Sequence, residues 1–272
     1  MRSRSVYPAI LGSVCLISGL TLGVTYSLMQ ERIAEQERQV LEMALRAALT
    51  EAEEFETVGY VAKDGQGNYH VVESMEEFER DRAEKGYVAA TEVRGGLKGG
   101  ETVGYVLEGA ERGYSSLIRV AVGVDVEVSK VIAIKVISQQ ETPGLGARVN
   151  EMQTSDTLWS VLLGRRSVKS GPSAPWFQAN FSGVSTEKLL GLGTLKGQDI
   201  NGDSKPDAIT GATISSNAVL RAVQSAILQA QVFHKSEGVD ASTSATAKWP
   251  AEKDAATQPG TTEEGAIDSG ET

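Results

Sequence analysis

The sequence predicts an α+β protein, with a single N-terminal transmembrane helix ahead of a domain that has a mainly antiparallel sheet and flanking helices. The stretch from Val6 to Gln30 carries no charge and is long enough to cross a bilayer as a helix. β-Branched, partly alternating segments with short connections follow, as is typical of antiparallel strands. Residues 217–235 then repeat apolar side chains at helical spacing, which predicts a helix with one face on a core.

The N-terminal segment is interpreted as an uncleaved membrane anchor over residues 1–30. Arg2 and Arg4 precede the apolar stretch, which favours an N-terminus on the inside of the membrane and the bulk of the chain on the outside. A cleaved signal peptide is the rival interpretation, although its apolar region is usually shorter. A lipoprotein anchor at Cys15 is disfavoured because Val14 stands where a small residue is expected.

Composition excludes several classes of protein. The formal net charge of the 272 residues is −10, which argues against nucleic acid as a partner because such binding needs clustered Lys and Arg. Cys15 is the one cysteine, so no intrachain disulfide can form. His70 and His234 are isolated in the sequence and offer no zinc pattern.

Beyond the anchor, the chain divides into three further segments. Residues 31–56 are predicted to form a connecting helix, whose apolar stripe suits a structural stalk or a cover helix. Residues 57–235 are the folded domain, within which residues 73–98 are charged and Gly-rich and are expected to form an exposed insertion with a short helix. Residues 236–272 lack the apolar residues of a core and are predicted to be a disordered tail.

The sheet is assembled from five predicted strands. A Gly-rich turn between the first two predicts a hairpin, and the other three are expected to be antiparallel neighbours. The predicted strands cover residues 57–61, 69–72, 102–107, 117–124 and 131–137.

Four aromatic residues are assigned to packing. Tyr105 and Tyr114 are expected to pack on the sheet, and Phe177 and Phe181 in the core. The aromatic-rich segment 175–181 that contains the two phenylalanines also offers rings for stacking on a flat ligand.

The segment Asp207–Ser216 carries the clearest sign of chemistry. Gly211 and Ala212 are small enough to let a bulky group approach the backbone, directly before the predicted C-terminal helix. Free N–H groups and the positive end of the helix dipole favour an anion there, and Thr213 adds a hydroxyl. The alternative is that the Thr and Ser residues of this segment only cap the helix.

The pattern Asp-x-x-Thr-Gly-Ala-Thr-x-Ser at residues 207–215 resembles the flavinylation motif of the FMN-binding domain family. In that family the last Thr carries FMN through a phosphoester bond, which a dedicated flavin transferase forms. The resemblance implies that residues 57–235 are an FMN-binding domain and that Thr213 is its FMN phosphoryl threonine. The remaining motif positions implied at the cofactor are Asp207, Thr210, Gly211, Ala212 and Ser216.

A second motif, Glu-Thr-Pro-Gly-Leu-Gly at residues 141–146, sharpens the resemblance. Together with the topology, residues 100–230 resemble the G subunits of Rnf electron-transport complexes and the related C subunits of sodium-translocating NADH:quinone reductases. This implies a covalent-FMN electron carrier within an ion-translocating oxidoreductase, with other membrane subunits as partners and no catalytic acid or base of its own. The loop lies near the flavin in that family, which adds Glu141, Thr142, Gly144 and Leu145 as site candidates.

An acidic turn before the flavinylation motif is a second candidate site. Its oxygen-bearing side chains alternate as in a calcium-binding loop, but Ser204 replaces the usual Gly and Thr210 the usual bidentate Glu. A polar turn without metal is the simpler interpretation. Two rival functions stay open: a membrane-tethered calcium-binding scaffold without flavin, and an FMN-binding domain of another respiratory reductase. The calcium candidates are Asp199, Asn201, Asp203 and Asp207.

Overall fold

The computed structural model describes residues 6–151, 175–195 and 206–237. A long N-terminal helix leads into a sheet, and a long C-terminal helix covers one face of that sheet. Helices α1 to α5 span Val6–Ala48, Met75–Lys85, Trp176–Ala179, Thr186–Gly191 and Thr213–Glu237. Strands β1 to β6 span Glu54–Asp64, Tyr69–Val72, Tyr87–Lys98, Glu101–Arg112, Leu117–Val124 and Val131–Ser138, and a 3-10 helix covers Gly146–Asn150.

Within the described residues, the strands form one six-stranded sheet in the order β2-β1-β3-β4-β5-β6. Every neighbouring pair is antiparallel. The predicted α+β class with a mainly antiparallel sheet is therefore confirmed, as is the β1–β2 hairpin, in which Lys63 pairs with Tyr69. The sheet is the platform on which two helices and the loop after β6 are placed.

The prediction that residues 73–98 form an exposed insertion is wrong for most of that segment. Helix α2 begins after Ser74, whose side chain accepts a hydrogen bond from the Glu77 N–H, and ends at Gly86. Residues 87–98 then form β3, which lies inside the sheet between β1 and β4. The sequence pattern does not reveal this strand because Gly96 leaves a gap in it, and that gap is where the side chain of Leu49 packs.

Helix α1 reaches the other face of the sheet with its C-terminal end. Its buried side chains there form one apolar cluster with residues of β4 and β5. The helix ends at Ala48, so it is shorter than the predicted segment 31–56. Glu53 already donates its backbone N–H to Leu97 O in β3, at 2.8 Å, which draws the chain into the sheet. The cluster consists of Ala44, Leu45, Ala48, Leu49, Ala52, Val106 and Ala121.

Within the described residues, nothing covers the apolar side chains of the N-terminal part of α1. Leu11, Leu16 and Leu20 are 66–69% exposed, and the most apolar window of the helix has no buried residue. By length and composition, the described residues contain one candidate membrane span, within Ile10–Ala48. Exposed leucines in this density need an apolar environment, which a bilayer supplies.

Helix α5 is the central element of the main core. Its predicted apolar face is buried against β4 and β5, as Val219, Val223 and Ile227 show with no exposed surface. Each fully buried side chain of this kind contributes roughly 1.5–3 kcal/mol. The helix begins at Thr213, four residues earlier than the predicted start at residue 217, and this places the flavinylation motif directly at its N-terminus.

Candidate functional site

Within the described residues, no side chain caps the N-terminus of α5. The residue before the helix is Ala212, which offers no side-chain acceptor, and the first backbone bond into the helix runs from Ser216 N–H to Ala212 O at 2.9 Å. Within the described residues, the N–H groups of residues 213–215 therefore lack a backbone acceptor, as at any helix start. The interpretation of Thr213 as a simple cap does not fit, because Thr213 is the first residue of the helix.

A turn ahead of the helix presents Thr213 to solvent. Ala212 N–H donates to Ile209 O at 2.9 Å, and both of these residues are buried. Gly211 between them has a φ of 79°, a left-handed conformation that favours glycine. Thr213 is exposed, and its hydroxyl makes no hydrogen bond within the described residues. An unpartnered hydroxyl thus stands beside free backbone N–H groups at the positive end of a long helix.

Glu141 is the buried acid that organises the surroundings of this helix start. Its exposed fraction is only 5%. One carboxylate oxygen accepts hydrogen bonds from Tyr114 N–H at 3.1 Å and Ser215 Oγ at 2.6 Å. The other accepts from the N–H groups of Ser115 at 3.0 Å and Ser116 at 2.9 Å. Glu141 therefore connects the β4–β5 turn, the loop after β6 and the first turn of α5.

The hydrogen bonds to Glu141 control its ionisation. Burial raises the pKa of a carboxyl group, but the hydrogen bonds from Ser215 and from the three N–H groups of residues 114–116 bring the pKa of Glu141 below its ordinary value. Glu141 is accordingly a carboxylate at neutral pH. Because its oxygens contact protein donors, its place in the site is to hold three segments together.

The loop that follows Glu141 is a tight turn. Thr142 O accepts hydrogen bonds from the N–H groups of Leu145 and Ala147, both at 3.2 Å, and Gly144 has a φ of 77°. These two N–H groups are used inside the turn and do not point at a ligand. Thr142, Gly144 and Leu145 are exposed, and the side chain of Leu145 lies against Gly211.

The other motif residues have different surroundings. Ser216 is fully buried, and its hydroxyl accepts from Ile209 N–H and donates to Ala212 O, both at 2.9 Å, so it holds the turn. Thr210 and Gly211 are exposed beside Thr213, and Asp207 is half-buried. The predicted calcium ligands at 199, 201 and 203 lie outside the described residues. Among the described residues, no group of three or more His, Cys, Asp or Glu could hold a metal ion.

Sequence reasoning misplaces Tyr114 and does not single out Ser215. Tyr105 is buried in the sheet as predicted, with its ring edge-on to Phe233 at 5.7 Å, and Phe177 and Phe181 are core residues. Tyr114 is 69% exposed, so the prediction that it packs on the sheet is wrong. It lies in the turn between β4 and β5, and the composition Gly-Tyr-Ser-Ser is the signal that could have indicated a turn.

A family model matches the part of the chain that contains this site. Residues 113–228 match the model of the FMN-binding domain family. The match contains the turn at Tyr114, Glu141 and the exposed Thr213. The part of the chain that contains the candidate site is therefore similar to FMN-binding domains.

Curated relatives identify the kind of protein more closely. The chain is 28% identical over 219 residues to the G subunit of the Na⁺-translocating ferredoxin:NAD⁺ oxidoreductase complex of Acetobacterium woodii, covering 80% of this chain and 87% of the relative. It is 24% identical over 219 residues to the proton-translocating counterpart of Clostridium ljungdahlii, with the same coverage. The chain is a homologue of the G subunits of ion-translocating oxidoreductase complexes of the Rnf type, and a single-pass membrane protein.

Two solved structures are also similar to this chain. NqrC of Shewanella oneidensis superposes with a TM-score of 0.49 at 17% identity, covering 74% of this chain and 97% of that one. The C subunit of the Na⁺-translocating NADH-quinone reductase of Parabacteroides distasonis gives 0.44 at 18% identity, with 75% and 97% covered.

Proposed function

We propose that this chain is the electron-carrier subunit of a membrane-bound ion-translocating oxidoreductase complex of the Rnf type, and that FMN is joined to Thr213 through a phosphoester. The observation that carries the proposal is the exposed Thr213 hydroxyl at the N-terminus of α5, which has no hydrogen-bond partner among the described residues and lies within the region matched by the FMN-binding domain model. The relatives, which are subunits of such complexes by name, supply the setting.

The residues at the start of α5 fit a phosphate group. A phosphoester on Thr213 carries negative charge, and the first-turn N–H groups together with the dipole of a 25-residue helix favour that charge. Gly211 and Ala212 leave the approach to the hydroxyl open, since both are small. The nearby Glu141 carboxylate keeps its negative charge, but both of its oxygens are bound by hydrogen-bond donors of the protein.

The protein supplies placement, and the cofactor supplies redox chemistry. FMN, when bound, accepts and donates electrons, and the chain needs no acid or base of its own for that. Glu141 holds the three surrounding segments at fixed positions, and Ser216 holds the turn that presents Thr213. A covalent link prevents the loss of the carrier during repeated electron transfer between partners.

Helix α1 gives the domain a direct connection to the membrane. It runs without interruption from the apolar stretch to the sheet, where Ala48 and Leu49 are fully buried. An α-helix of 43 residues is about 64 Å long at 1.5 Å per residue. We place the domain on the periplasmic side of the inner membrane, with the other membrane subunits of the complex as partners and a flavin transferase for maturation.

Co-expression with a flavin transferase tests the proposal. The chain is run on a denaturing gel under ultraviolet light, where covalently bound flavin survives as a fluorescent band. Thr213→Val should lose the band, because it removes the hydroxyl and keeps the shape of the side chain. Thr102→Val is the control, at an exposed Thr on β4 outside the motif, and should keep it. A dark wild-type chain beside a labelled transferase substrate would exclude the covalent flavoprotein.

A further inference from the structure

Three large apolar side chains stand exposed around Thr213. Ile214 is 57% exposed, Tyr114 is 69% exposed and Leu145 is 47% exposed. Single exposed apolar residues are ordinary on protein surfaces, but several together commonly mark a place that a ligand or a partner covers. These three come from separate segments, namely the first turn of α5, the β4–β5 turn and the loop after β6.

Hydrogen bonds and close packing show that the three side chains belong to one neighbourhood. The same oxygen of Glu141 binds Tyr114 N–H at 3.1 Å and Ser215 Oγ at 2.6 Å, so Tyr114 is joined through one atom to the residue next to Ile214. A Cβ built on Gly211, two residues before Thr213, would lie 3.4 Å from Leu145 Cδ2. Leu145 and Tyr114 therefore approach the start of α5 from two segments.

The turn that carries Tyr114 is held more firmly than an ordinary exposed hairpin. Gly113 N–H donates to Ser116 O at 2.8 Å, and the next three N–H groups all bind Glu141. The backbone of Tyr114 is thus fixed although its ring faces solvent. A ligand that contacts this ring has little backbone to order on binding, which is the advantage of a preorganised site.

We propose that Tyr114, together with Leu145 and Ile214, is the surface against which the isoalloxazine ring of the Thr213-linked FMN lies, and that Glu141 positions Tyr114 for this contact. The inference rests on the proposed function and adds the residues that contact the ring. A flat aromatic ring with two apolar faces suits one aromatic and two branched aliphatic side chains. Tyr114 is a positioning residue for the flavin in this arrangement.

The test uses the full-length, flavin-loaded protein in detergent, with Tyr114→Ala and Tyr114→Phe. Val88→Ala is the control, a 56% exposed apolar residue on β3. Flavin per chain is first measured on the denaturing gel. Flavin emission is then recorded for equal amounts of bound flavin, with and without iodide as a soluble quencher.

A phenol ring in contact with an oxidised flavin quenches its emission, whereas a benzene ring does so far less. Tyr114→Phe should raise the emission per flavin by about twofold or more and leave the bimolecular rate constant of quenching by iodide, obtained from emission lifetimes, unchanged, because the ring still covers the flavin. Tyr114→Ala should raise both the emission per flavin and its quenching by iodide. Val88→Ala should change neither quantity.

Tyr114 variants that are fully loaded and match wild type in emission and iodide quenching would overturn the inference and leave the proposed function intact. A wild-type chain without covalent flavin would instead reject the proposed function, and the ring contact with it. Should Tyr114→Ala fold poorly, Tyr114→Phe alone decides, since it keeps the size of the side chain.

Discussion

Two hydroxyl-bearing residues, two positions apart in the first turn of α5, have opposite surroundings. Ser215 is only 2% exposed and donates to Glu141 at 2.6 Å. Thr213 is exposed and has no hydrogen-bond partner within the described residues. Successive residues of a helix point about 100° apart, so residues two positions apart face different sides. The first turn therefore uses one side for fixing the helix and leaves the other for chemistry.

The largest effect is expected at the acid that holds the fixed side. Glu141→Ala leaves three N–H groups and the Ser215 hydroxyl without their charged acceptor, which should lower the free energy of unfolding by roughly 3–5 kcal/mol. Urea unfolding of the full chain in detergent, followed by tryptophan fluorescence, measures the change. Glu127→Ala, at an exposed acid, is the control and should stay within about 0.5 kcal/mol. Equal effects of the two substitutions would contradict the organising role of Glu141.

A smaller and more selective effect separates the two hydroxyls. Ser215→Ala removes one hydrogen bond to a carboxylate and should cost about 1.5–3 kcal/mol of stability while flavin attachment persists. Thr213→Val should show the reverse, with stability within about 0.5 kcal/mol of wild type and no flavin. The denaturing gel and the urea titration, run on the same two preparations, check both halves. If both variants lost the flavin and had equal stability, the two hydroxyls would not have the separate roles proposed here.

The acid side of the stability profile should depend on Glu141. Because the folded pKa of Glu141 lies below its unfolded value, its contribution is fully present above the unfolded pKa of about 4.3 and is lost as the pH falls through the folded pKa. The melting temperature should therefore fall less steeply between neutral pH and pH 3 in Glu141→Gln than in wild type. Parallel profiles for the two proteins would show that the carboxylate is not stabilised by folding.

The smallest expected effect lies in the turn before Thr213. Gly211→Ala places a Cβ on a residue with a φ of 79° and should cost about 1 kcal/mol. Gly191→Ala is the control, because a Cβ there meets no atom within 4 Å and its φ is not left-handed. A melting temperature for Gly211→Ala equal to that of the control would show that the turn relaxes without strain.

The elements that the sequence predicts well are those with local patterns. Strand β5 has its predicted bounds, 117–124, because β-branched residues alternate between Gly113 and the charged turn that follows. Strand β3 escapes prediction although it lies inside the sheet, since Gly95 and Gly96 interrupt its pattern, the first where Val58 of β1 packs and the second where Leu49 packs. The predicted helix start lies too late, beyond Thr213, because Ala212 is not a typical cap.

The candidate site divides in the same way. Thr213, Thr210 and Gly211 are recognisable from a short contiguous motif, and the structure places them together on the surface. Tyr114 is predicted to pack on the sheet because an aromatic residue beside a strand usually does so. Its true neighbour, Glu141, is 27 positions away in the chain, and no local pattern reports a contact at that distance.

By itself, the sequence determined the apolar anchor, the antiparallel strands and the hydroxyl proposed to carry the cofactor. These follow from composition, periodicity and a contiguous motif, which act over a few residues. Only the tertiary structure decided that Glu141 binds Ser215, 74 positions away, and that the Thr213 hydroxyl is exposed and has no partner among the described residues. The physical reason is that strand register and helix packing determine which distant groups come into contact. A buried carboxylate is then stable only if nearby donors form hydrogen bonds with it.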